Sequence, residues 1–234
     1  MNLQNAAEGV AKLYKAAIIE LITALCTTIA VIMGVLTAAA TAGIVAQGIQ
    51  QGNADNINAA GVIAGGAGTL IFTLGAAVLG IICLVLQIKG TSLAKQDEAN
   101  TKYFSSAYIC ILVSLICTVL GAVLSGLIPV LAKILTSVGG VFEIFIAWYI
   151  LKGVWSIAEQ IGDNDLAARA QSASTVVAIV IAISLIFKWI PQFFANGIGQ
   201  AIGVVLAIVA FVLSIAQIIM YLSVLKRAKV SFLR

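Results

Sequence analysis

The chain has no histidine. Without imidazole there is no Ser–His or Cys–His nucleophile pair, no HExxH metalloprotease helix and no ordinary zinc site. Charge is scarce as well. Only 9% of the 234 residues are Asp, Glu, Lys or Arg, whereas soluble domains carry about 25%, so the chain cannot cover a water-facing surface of its own size. Proline occurs twice, which leaves long segments without a helix breaker. The four cysteines, Cys26, Cys83, Cys110 and Cys117, form no CxxC pair and lie inside apolar runs, where a free thiol serves as a small packing residue. There is no GxxxxGK[ST] phosphate loop, and the Gly-rich GVIAGGAGTL (61–70) sits in an apolar run rather than between a strand and a helix. The DND at 163–165 lacks the spacing of a calcium loop and reads as a turn with a helix cap. The basic residues form no stripe with interleaved aromatics, so the net charge of +4 is no nucleic-acid signal. These absences argue against an enzyme, a cofactor, a bound metal or a nucleic-acid partner.

What is present is apolar sequence, 62% of the chain. Uninterrupted runs of about 20 residues are long enough to cross the ~30 Å hydrocarbon core as helices, and these runs are too long and too uniformly apolar for barrel strands. The expected fold is an all-α polytopic membrane protein. Six spans are predicted, at about 16–38, 60–88, 104–128, 135–152, 170–188 and 200–222. Lys12 and Lys15 ahead of a first run ending in ATAG resemble a signal peptide, but the run exceeds a normal h-region and contains Glu20, so it reads as an uncleaved span.

Lys and Arg collect on the cytoplasmic side of spans. With a cytoplasmic N-terminus, Lys12, Lys15, Lys89, Lys95, Lys102, Lys152, Arg169, Lys226, Arg227, Lys229 and Arg234 fall inside, and only Lys133 and Lys188 fall outside. Both termini are therefore expected in the cytoplasm, in the plasma membrane. Trp189, Phe193 and Phe194 occupy an outer aromatic belt, and Pro191 ends the fifth span.

KGTSLAKQ (89–96) and KGVWSIAEQ (152–160) mark the cytoplasmic exits of the second and fourth spans. In each, the lysine is read as the interface, followed by glycine and a short cytoplasmic segment; in the second copy Val154, Ala158 and Ile161 recur at helical spacing, as in a helix skimming the interface. Gly162 stops that helix, Asp165 caps the next, and Asn100 or Thr101 is the equivalent cap after the first copy. The entry helices echo each other too: Lys12–Leu13–Tyr14 resembles Lys102–Tyr103–Phe104, and Ala24 aligns with Ser114 and Thr28 with Thr118. The expected organisation is one membrane domain of three hairpin repeats, about 10–98, 99–163 and 164–234, running in the same direction through the bilayer.

Lipid gives helices no hydrophobic reason to associate, so small residues mark the seams. Candidates are Gly61 and Gly65 in the second span, the every-fourth-residue stripe of Ser106, Cys110, Ser114, Thr118, Ala122 and Gly126 in the third, and Gly199 and Gly203 in the sixth. They predict close packing within the chain, between copies, or with a partner subunit.

Two acidic residues fall inside spans, Glu20 and Glu143. Glu143 lies ten residues after Lys133 and nine before Lys152, which puts it roughly 15 Å from either flank. An ionisable side chain at that depth costs about 2.5–3.5 kcal/mol on insertion scales. It is either a proton- or cation-binding carboxylate on a pathway or a protonated acid making one interhelical hydrogen bond. Glu20 lies near the cytoplasmic interface and is the second candidate. Phe142, Phe145, Trp148 and Tyr149 surround Glu143 in sequence and could wall a solute site. The expected role is a small solute or ion transporter or channel-like protein; the alternative is a non-catalytic scaffold or partner subunit docking through its KG joins.

Overall fold

The computed structural model describes residues 3–51, 59–98, 101–193, 213 and 216–233. Among these the chain is helical without strands: α1 (Gln4–Gln51), α2 (Ala59–Ala94), α3 (Tyr103–Leu124), α4 (Pro129–Gln160) and α5 (Asn164–Phe193), then a C-terminal helical segment over 216–231. Four helices are long and apolar enough to cross a membrane, over Gln4–Ala30, Ala67–Ala94, Tyr103–Leu124 and Pro129–Gln160. The shortest, at 22 residues, is about 33 Å long, enough for the hydrocarbon core. The sixth expected span, 200–222, lies largely outside the described residues.

Several boundaries differ from the sequence reading. α1 continues to Gln51, well past the expected end of the first span near residue 38, because Gln and Ala are good helix formers and no proline intervenes. α4 begins at Pro129, whose ring suits the first turn of a helix, so the turn before it is Ser125–Ile128. α5 runs two residues past Pro191. Through the KG joins α2 and α4 continue as unbroken helices past Gly90 and Gly153.

The chain divides into two units, Met1–Lys15 with Val85–Arg234, and Ala16–Leu84. The first holds most of the core. Val10, Leu13, Phe104, Ile111, Ile150, Leu151, Val154, Ile157, Leu166, Val177 and Leu225 are all buried to within 2%. Here the KG glycines find their use. A Cβ on Gly90 would lie 2.8 Å from Leu13 Cγ, and one on Gly153 would lie 2.6 Å from the Phe104 ring. Each glycine is a notch for a large side chain from the first helix of its own hairpin. The sequence correspondence pairs Leu13 with Tyr103, so the two contacts are one residue out of register.

Along α3 and α4 the notches continue. A Cβ on Gly139 would meet Cys117 Cβ at 3.2 Å and the Ser114 carbonyl and Thr118 Oγ1 at 3.4 Å; one on Gly121 would meet Thr136 Oγ1 at 2.8 Å. The buried face of α3 takes in Phe104, Ala107, Cys110, Ile111, Cys117 and Gly121, with Ser114 and Thr118 against Gly139; the every-fourth-residue stripe is in the seam from Cys110 to Thr118 but not at Gly126, which has open space around it. A strict four-residue stripe drifts by about 40° per step on a helix of 3.6 residues per turn. The seam keeps pace by mixing steps of three and four, as coiled coils do.

The second unit pairs α1 with α2 from Ala16 to Leu84. Cys83 Sγ donates to the Ala16 carbonyl at 3.4 Å, and Gly68 meets Met33 Cε at 3.5 Å. Thr23, Thr27, Thr28 and Thr73 return their hydroxyls to carbonyls one turn back, which hides the polar group from an apolar surrounding. Leu70, Ile71 and Leu74 are each about two-thirds exposed on α2, the surface expected of a helix in lipid.

Carboxylates organise the charged end of the first unit. Asp97 accepts the Ala6 N–H at 2.7 Å and the Asn5 amide at 3.0 Å, closing the first turn of α1. Its neighbour Glu98 accepts the Phe104 and Ser105 N–H groups at 3.0 and 3.3 Å and the Thr101 hydroxyl at 3.1 Å, closing α3. Thr101 also reaches Ser156 of α4 at 3.1 Å. Thr101 is therefore not the cap expected; it supports Glu98, and Asn100 lies outside the described residues. Glu98→Ala is expected to cost about 2 kcal/mol, the scale of a lost helix cap with charged hydrogen bonds, read as a lower thermal midpoint in detergent.

Candidate functional site

Glu143 lies on α4, one turn beyond Gly139, where the helix presses on α3. The unbroken helix from Pro129 to Gln160 keeps the residue about 15 Å along the axis from the levels of Lys133 and Lys152. The Glu143 and Lys133 side chains lie outside the described residues. After Glu143, Phe145, Trp148 and Tyr149 form a ring cluster, with Phe145 6.4 Å and Trp148 5.0 Å from Tyr149. Glu20 is exposed on α1 in the second unit, while Glu143 belongs to the first. Ser114 and Thr118 are brought together against Gly139. Gly61 and Gly65 lie on α2 where the packing is outside the described residues, and Gly199 and Gly203 are outside them altogether. Among the described residues, no three His, Cys, Asp or Glu side chains gather closely enough to hold a metal ion.

The polar chemistry the sequence reading missed is at the charged end. α4 closes with Gly162 at φ +75°: Gly162 N–H donates to the Glu159 carbonyl and Asp163 N–H to that of Ala158, which satisfies two terminal carbonyls. Asp163, two residues ahead of the cap expected, accepts the Leu166 N–H at 3.0 Å and so begins α5. Its other oxygen accepts the Ser231 hydroxyl at 2.5 Å. Asp165 pairs with Arg169 one turn on and with Arg227 of the C-terminal segment. The signal was legible only as acidic residues near a turn; two of their partners, Ser231 and Arg227, lie more than 60 residues away.

Asp163→Ala is expected to free the C-terminal turn as well as the start of α5. Hydrogen exchange should quicken over 226–233 and over the first turn of α5, while α3 stays protected. Unchanged exchange at 226–233 would mean that the Ser231 bond does not hold the turn.

Between α5 and the C-terminal segment lies an open groove of about 380 Å³, lined by Ala168, Arg169, Ser172, Ile219, Met220, Ser223 and Val224. Two rings stand beside lysines at the same charged end: Lys95 Nζ is 4.1 Å from the Tyr108 centroid and Lys152 Nζ is 4.6 Å from that of Trp155. Tyr103 lies 6.5 Å from Trp155. Such amphipathic pairs suit a membrane–water boundary.

No protein-family model matches the chain, and neither a curated protein nor a solved structure matches it.

Proposed function

We propose that the chain is a six-span membrane protein that passes a small solute or an ion across the bilayer, with Glu143 as the carboxylate on the path. The observation that carries this is an acidic residue midway along an unbroken apolar helix. Such a residue is expensive to insert and is by default a candidate for ion or proton handling. The threading we propose has three hairpins with both termini in the cytoplasm. Its support is three separate bonds, Ala6 to Asp97, Thr101 to Ser156 and Ser231 to Asp163, which tie the N-terminus, two loops and the C-terminal turn into the charged end of the first unit. The test is proton and cation flux into liposomes holding the purified protein. Flux above that of protein-free liposomes supports the reading.

The second reading is a scaffold or partner subunit in a larger membrane assembly. The broad apolar face of α2, with Leu70, Ile71, Leu74 and Val78 more than half exposed, favours it. Absence of flux across a broad panel, together with a partner that co-purifies until α2 is substituted, would select it.

A further inference from the structure

The groove between α5 and the C-terminal segment carries a gradient of polarity. The ion pair of Asp165 with Arg227 and the bond of Asp163 with Ser231 set the two elements antiparallel. Going from the charged end along the groove, one meets Arg169 and Ser223, then Ser172, and then Ile219 and Met220. Lys226 and Arg227 follow Ser223 by one turn at the charged rim, and both are exposed. Against these three cations the described residues set two carboxylates, Asp165, already shared between two arginines, and Asp163, which accepts from Ser231 and the Leu166 N–H. Arg169 remains 55% exposed with Asp165 beside it.

We infer that this groove binds an anionic glycerophospholipid, its phosphate at Arg169 and its acyl chain along Ile219 and Met220. The order of groups in the groove is the order in such a lipid. A phosphate and an anionic headgroup meet guanidinium and ammonium groups, ester oxygens meet the Ser172 and Ser223 hydroxyls, and methylenes meet an apolar wall. Arginine suits phosphate because its fork of donors matches two oxygens at once. Basic pockets between helices on the cytoplasmic side are favoured positions for anionic headgroups. A zwitterionic choline lipid would bring its own cation against the same rim and gain less. The inference rests on the membrane reading of the chain, but not on Glu143 or on transport.

The experiment uses the full chain in neutral-detergent micelles titrated with dioleoylphosphatidylglycerol or dioleoylphosphatidylcholine, with bound lipid counted by native mass spectrometry. The wild type should retain one phosphatidylglycerol preferentially. Arg169→Gln, which removes only an exposed pair on one helix, should weaken that binding about fivefold, the value of one basic residue at a membrane surface. Ser223→Trp keeps every charge, fills the groove and should abolish it. Lys102→Gln, at the same charged end but outside the groove, should leave it unchanged. Equal retention of phosphatidylcholine, equal weakening by Lys102→Gln, or equal binding of soluble glycerol 3-phosphate would overturn the proposal. So would a dimer, indifferent to lipid, that Ser223→Trp dissociates, since the groove would then hold a second copy. Flux retained by Ser223→Trp with lipid binding lost would support the lipid site while leaving the transport reading standing, and so separate the two.

Discussion

Gly9→Ala should lower the stability of the protein by about 2 kcal/mol, although alanine is the better helix former. A Cβ built on Gly9 lies 2.6 Å from the Gly90 carbonyl oxygen and 2.8 Å from the Ala94 nitrogen. Both are backbone atoms of α2 and cannot rotate away, so α1 and α2 must separate. Separation would also disturb Leu13, which is 1% exposed and seated on Gly90, and would strain the nearby bond from Ala6 to Asp97. Overpacking of this kind costs about 1–3 kcal/mol or more, against a propensity gain of at most ~1. Gly80→Ala is the control: nothing lies within 4 Å of its Cβ position, and the variant should be neutral or slightly more stable. Gly153→Ala falls with Gly9→Ala, because the Phe104 ring that it would strike is fully buried and has nowhere to swing. Thermal midpoints in one detergent would check all three, with a drop of roughly 5 °C for Gly9→Ala. Equal midpoints for Gly9→Ala and Gly80→Ala would mean that the close approach at Gly9 is relieved without cost.

The contrast between those glycines also shows what one sequence can disclose. The apolar runs announce helices for a bilayer, because a 20-residue run has few other uses, and the described residues contain four such helices. The repeated KG was visible as a repetition and read as the place where a span leaves the membrane; the side chain each glycine makes room for was not visible. Glycine inside a helix costs about 1 kcal/mol, and the packing of a buried Phe104 or Leu13 offsets that. Nothing local to residue 90 or 153 names the side chain that fills the notch. The caps failed for the same reason. Asp165 and Thr101 occupy plausible positions, but the bonds go to Asp163 and Glu98. Asp97 spends its carboxylate on a helix that begins more than 90 residues earlier. Glu143, by contrast, needed only the distance to its flanking lysines to be singled out, and the unbroken α4 leaves that distance as counted.

Glu143→Gln should reduce proton or cation flux at least tenfold while leaving the protein folded, and the two halves of that expectation must be read together. Glutamine keeps the volume of the side chain and both of its hydrogen-bonding positions but cannot bind or release a proton, and it holds a cation far less well. Removing an ionisable group from mid-membrane also relieves an insertion cost of about 2.5–3.5 kcal/mol, so the variant should melt no lower than the wild type. Glu143→Asp keeps the charge on a shorter arm and should retain part of the flux. A purely structural acid, protonated and sharing one interhelical hydrogen bond, behaves differently. Glutamine keeps that bond, so the midpoint holds and any flux stays where it was. Flux and thermal midpoint measured on the same preparations of wild type, Glu143→Gln and Glu143→Asp therefore separate the cases. Equal flux in all three would remove Glu143 from the path. Loss in the glutamine variant alone, with the midpoint held, would put the carboxylate itself at the centre of the transport step, because the proton or the charge is then the only thing that changed.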